Sequence, residues 1–159
     1  MRTPTLSEQL VLAVLDAPKR VDGRLTYKGA NHPEYREAKA LVRCPTYPEL
    51  NMQFRASYHV ARLPRKYSFM LFIEGERVYA LDVAPGRRHF NVRTRKSVAV
   101  THWQKWPTME AEPDDQELTH HQWFEEFCAR ANLTFAKPYV PPQFDSGITQ
   151  RELLGGEDG

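Results

Sequence analysis

The chain has 159 residues, 41% hydrophobic and 26% charged, with a formal net charge of +2. That length suits one domain able to bury about 70% of the surface its unfolded form exposes, so a core without covalent staples is expected. No stretch approaches the roughly 20 apolar residues of a membrane span. The small net charge hides an asymmetry. Residues 1–109 hold 19 Lys and Arg against 9 Asp and Glu, whereas residues 110–159 hold 3 against 11.

In chain order, Thr5 or Ser7 can cap a helix running to about Ala17. Leu6, Leu10, Ala13, Val14 and Ala17 fall at helical spacing, and Pro18 stops it. Glu8 and Asp16 interrupt the apolar run, which therefore reads as an amphipathic helix and not a signal peptide; the expected location is the cytoplasm. Strand periodicity follows. RLTYK alternates, with Leu25 and Tyr27 on one side, and AKALVRC sets Ala38, Ala40, Val42 and Cys44 against Lys39, Leu41 and Arg43. QFRASYHVA alternates most cleanly: Phe54, Ala56, Tyr58 and Val60 face one way, Arg55, Ser57 and His59 the other. That pattern predicts a sheet with one buried and one open face.

SFMLFIEGERVYALDV reads as a hairpin turning at Glu74-Gly75, its first strand apolar on both faces. Another strand is expected from Ser97 to Trp103. Thr119 with Gln122 makes a capping-box pattern, and Trp123, Phe124, Phe127, Cys128 and Ala131 form the apolar stripe of a second helix that Asn132 can close. KPYVPPQF is too rich in proline for helix and is expected to strap across the body or an edge. Together these elements predict an α+β fold: one domain over 1–144, a mainly antiparallel sheet of sequential hairpins, and a helix from each end on one face. Residues 145–159 read as an acidic tail.

The cations concentrate in GRRHFNVRTRKSVAVTHWQKW, residues 86–106, which holds no carboxylate. Arg87, Arg88, Arg93, Arg95 and Lys96, with Arg55, Arg65 and Lys66 from other segments, form a set suited to neutralising phosphates. Trp103 and Trp106 add rings able to stack on unpaired bases. The expected partner is RNA, DNA or a nucleoprotein complex. The competing structural reading makes the tryptophans core and lets the acidic third neutralise the basic part.

Two other functions compete. His59, His89 and His102 with Arg88 have the chemistry of a metal-free nuclease, since imidazole exchanges protons near neutrality. The acidic third has the charge of an inhibitor or accessory subunit docking on a basic protein. His102, Asp114, Asp115 and His121 include metal-ligand types, but their spacing matches no known motif, so no metal and no cofactor is expected. The signatures of phosphate-binding loops, dinucleotide folds and α/β-hydrolases are absent. Cys44 and Cys128 form no C-x-x-C and read as structural.

Overall fold

A computed structural model describes residues 6–61, 66–84, 88–91, 96–99 and 101–142, with 88–91 and 96–99 described by their backbone alone. Helix α1 spans Glu8–Asp16. The Ser7 hydroxyl accepts from the Leu10 amide at 3.1 Å, and Ala17, just before Pro18, ends the helix. Val11, Val14 and Leu15 bury one side. The last carbonyls are satisfied by an amine: Lys19 Nζ donates to Val14, Leu15 and Ala17 at 2.5, 2.9 and 2.7 Å. This lysine is 2% exposed, and burial pushes its amine down to about 8, against the pull of Cys44 and Asp16.

Lys19 begins a short strand, β1 (Lys19–Val21). Next come β2 (Lys28–Gly29), β3 (Tyr35–Val42), β4 (Met52–His59), β5 (Tyr67–Ile73) and β6 (Glu76–Val83). A separate hairpin, β7 (Arg88–Asn91) with β8 (Lys96–Ala99), precedes β9 (His102–Lys105) and β10 (Glu112–Pro113). Helix α2 (His120–Ala131) and β11 (Leu133–Phe135) follow. The main sheet has seven antiparallel strands in the order β10-β9-β6-β5-β4-β3-β2. The fold is thus a mainly antiparallel sheet with two helices, as the periodicities predict. No helix among the described residues is long and apolar enough to cross a membrane.

Strand β4 is the clearest case of pattern becoming structure. Met52, Phe54, Ala56 and Tyr58 are buried, while the residues between them are partly covered. The β5–β6 turn uses Glu74 at φ 51° and Gly75 at φ 82°, two left-handed residues in a two-residue hairpin loop. A bulge after Leu71 shifts the register and lets both Val78 and Tyr79 turn inward. The capping box of α2 is complete: Thr119 Oγ1 accepts from Gln122 N at 3.1 Å, and Gln122 Oε1 accepts from Thr119 N at 2.9 Å. Asn132, at φ 51°, closes it. Its buried rings meet the sheet, with Phe127 lying 5.7 Å from Phe54, 5.5 Å from Tyr79 and 6.3 Å from Trp103.

The chain departs from the sequence expectation in four places. Of RLTYK, only Lys28 enters a strand, paired opposite Glu37. Val60 is half-buried, because the chain leaves β4 at His59. The strand expected over Ser97–Trp103 is broken: β8 pairs with β7, and β9 joins β6. Thr101 sits at the break, buried, taking the Ala84 amide on its hydroxyl at 3.0 Å and the Asp114 amide on its carbonyl at 2.8 Å. Finally, not every pairing is a hairpin. Strands β1 and β11 run parallel, Lys19 beside Leu133, tying the first helix to the last. The tail over 145–159 lies outside the described residues.

Phe127 touches four sheet strands from a fully buried position. Phe127→Ala is expected to lower unfolding free energy by about 3–5 kcal/mol, measured by urea denaturation. A loss under about 1 kcal/mol would mean that α2 contributes little to the core.

Candidate functional site

Pleating turns one set of side chains away from the apolar cluster. On β3 it is Tyr35, Glu37, Lys39 and Leu41; on β4, Gln53, Arg55, Ser57 and His59; on β5, Ser68, Met70 and Phe72. Asp82 on β6 and His102 on β9 continue the row that begins with Ser57 and Ser68. This face is only partly solvated. The Arg55 guanidinium lies over the Phe72 ring at 4.1 Å and donates to Gln53 Oε1 at 2.6 Å.

Among the described residues two hollows indent this face, each about 270 Å³. The first is lined by Tyr35, Lys66, Tyr67, Ser68, Asp82, Ala84 and His102. The second, across Tyr35, is lined by Ala30, Asn31, His32, Glu37, Lys39, Arg55 and Ser57. In the first, Asp82 joins its neighbours: Ser68 Oγ donates to Oδ1 at 2.5 Å, and His102 Nε2 lies 3.1 Å from Oδ2. The carboxylate, not the imidazole, stands in the middle, so this is not the Ser–His–Asp order of a nucleophilic triad. In the second, Lys39 and Arg55 are directly opposed across two antiparallel strands. Glu37 reaches Lys39 at 3.6 Å.

The sequence-predicted site residues separate. His102, Lys66 and Arg55 line the hollows. His59 and Arg55 are not open to solvent as expected: the His59 side chain is 15% exposed, and Arg55 is partly covered. The His59 Nδ1 accepts from the Ala61 amide at 3.2 Å, its Nε2 meets Glu34 at 3.1 Å, and Tyr35 packs on the ring at 4.9 Å. With both nitrogens engaged, His59 fastens the end of β4. It also stands on β4, three strands along the sheet from His102 on β9, a backbone spacing of about 14 Å.

Trp103 is 4% exposed, donates Nε1–H to Asp114 at 3.0 Å and lies under the Arg130 guanidinium at 4.1 Å, so it is a core residue and offers no face to a base. Trp106 is half-buried against the same core. Arg65, Arg87, Arg93 and Arg95, and the side chains of Arg88, His89 and Lys96, lie outside the described residues.

The metal-type residues also disperse. Asp114 serves Trp103; burial works to raise its pKa, but the Trp103, Gln116 and Arg130 contacts outweigh it and hold the carboxyl below its ordinary range. His121 pairs with Glu125 at 3.5 Å. No group of three or more ligand-type residues converges among the described residues. Cys44 and Cys128 are free thiols, and burial, aided by Glu125, pushes Cys128 up to about 12, which makes it a poor nucleophile.

Sequence reasoning missed Tyr35, Ser68, Asp82 and Lys39. Ser68 and Asp82 were legible as polar residues in apolar strands; Tyr35 carried no signal. Comparison of the chain with family models, curated proteins and solved structures found no match.

His120, at the start of α2, closes a chain of hydrogen bonds under the 136–142 segment. Its Nε2 meets Tyr139 Oη at 2.6 Å, and Tyr139 Oη meets Tyr27 Oη at 2.8 Å. Tyr139 also stacks on Phe124 at 3.9 Å, which gives the expected proline-rich strap its anchor. Burial, with His121 alongside, pushes His120 down to about 3. A folded-state value below the unfolded one means that the unfolded chain takes up the proton first as pH falls. Stability is therefore expected to fall below about pH 6.5 by roughly 1.4 kcal/mol per unit, until about pH 3. Urea unfolding at pH 7 and pH 5 checks this: the wild type should lose about 2 kcal/mol, and His120→Gln much less.

Proposed function

We propose that this protein binds nucleic acid, alone or within a nucleoprotein complex, across the face of the sheet that bears the two hollows. In this reading both helices cover the other face. The observation that carries it is Lys39 opposite Arg55. Like charges directly opposed on neighbouring strands destabilise a sheet. Glu37 relieves only part of that repulsion, and a bound phosphate relieves the rest. The connections support the same reading. The ends of β4 and β6 and the starts of β5 and β9 lie together beside Lys66, Ala84 and His102. The chain between Ala61 and Lys66 carries Arg62 and Arg65; that between Ala84 and Thr101 carries Arg87, Arg88, Arg93, Arg95 and Lys96. The acidic residues Asp114 and Glu126 are engaged by Arg130 of α2.

One observation favours a second reading, a metal-free nuclease. A carboxylate orients the imidazole of His102 beside Lys66. That is an acid–base group next to a cation able to hold a phosphoryl oxygen.

Binding of labelled RNA and DNA oligonucleotides should weaken with salt, and Lys39→Ala, Arg55→Ala and Lys66→Ala should each flatten the log–log salt slope by about one unit. Lys39→Ala is expected to act in opposite directions, weakening binding while stabilising the free protein by about 0.2–1 kcal/mol. A wild type that binds neither RNA nor DNA at low salt sinks the proposal. Cleavage of the oligonucleotide in the presence of EDTA, lost in His102→Gln, would instead establish the nuclease.

A further inference from the structure

Resting on the reading that this face binds nucleic acid, we propose that Tyr35 separates two consecutive unpaired bases, one seated in each hollow. Among the described residues Tyr35 is the one that lines both cavities, and the cavities are of similar volume. It is held at the first position of β3 by His59 at 4.9 Å and His32 at 5.4 Å, both ring planes nearly perpendicular to its own. Such packing fixes an aromatic ring without stacking over it.

The linings decide what sits where. The first hollow has a carboxylate wall. Asp82 already accepts from Ser68 and contacts His102, but each carboxylate oxygen keeps a second acceptor site. A phosphate against Asp82 is repelled, whereas a base edge bearing N–H donors is accepted. The cations stand on both sides of Tyr35, Lys66 in the first hollow and Lys39 and Arg55 in the second. A backbone whose bases enter the two hollows meets cations on either side of the ring.

A duplex step can open around an inserted side chain only by kinking with its pairs intact, so bases seated singly in two separate hollows have left their partners, which an unpaired strand allows without that cost. The occupant is therefore single-stranded RNA or DNA, held by stacking and charge without base-pair readout.

The test uses the full chain and fluorescence anisotropy with one short oligonucleotide as RNA, as DNA and as the matching duplex. The single strand should bind more tightly than the duplex. Tyr35→Ala should weaken single-strand binding by about 5- to 150-fold and leave the salt slope unchanged, because no phosphate contact is lost; Tyr35→Phe should keep the affinity. Should Tyr35→Ala fold poorly, Tyr35→Val preserves strand propensity and gives the same readout. Equal binding of single strand and duplex, or a loss under about threefold in a folded Tyr35 variant, overturns the inference while leaving nucleic-acid binding intact. No binding of any oligonucleotide by the wild type removes the reading beneath it.

Discussion

The aromatic cluster around Phe127 fixes the register of the sheet, and the rest of the structure depends on that register. Phe54, Phe69, Tyr79 and Trp103, from four adjacent strands, all meet this ring. A slip of one residue in any of them would turn an aromatic side chain into water and a polar one into the core. The same constraint sends Lys39, Arg55, Ser68, Asp82 and His102 to the far side together. The far face is thus a by-product of core packing that the polar residues exploit.

Helix α2 and strand β4 were legible because each satisfies several local rules at once. Thr119 and Gln122 mark the helix start, the 3.6-residue stripe marks its buried side, and Asn132 marks its end. Strand β4 alternates without exception. The pair β1–β11 was hidden, since three residues show no period and nothing in either segment points to the other. His102 and Trp103 are consecutive in a strand, so the pleat sends them to opposite faces, the imidazole to the polar face and the indole to the core. Tyr35 was beyond reach because its value depends on what the neighbouring strands bring beside it.

The charge asymmetry of the sequence has a partly local resolution. Arg130 lies over Trp103 and reaches Asp114 at 3.9 Å and Glu126 at 3.0 Å, so some of the acidic third is neutralised within that third. The face cations are balanced less fully. Lys39 has Glu37 and Arg55 has the Phe72 ring, and neither contact removes the repulsion between the two.

The parallel pair β1–β11 has a consequence for how the protein is made. Asn132 Nδ2 donates to the Asp16 carbonyl across 116 residues of chain, and Lys19 N donates to the Asn132 carbonyl beside it. On a ribosome that adds about 5–20 residues per second, the opening helix waits many seconds for these partners. Until then its apolar side, Val11, Val14 and Leu15, has only the growing sheet to shelter it. Closure of the two ends is a late, long-range step, the kind that slows folding and exposes a nascent chain to chaperones.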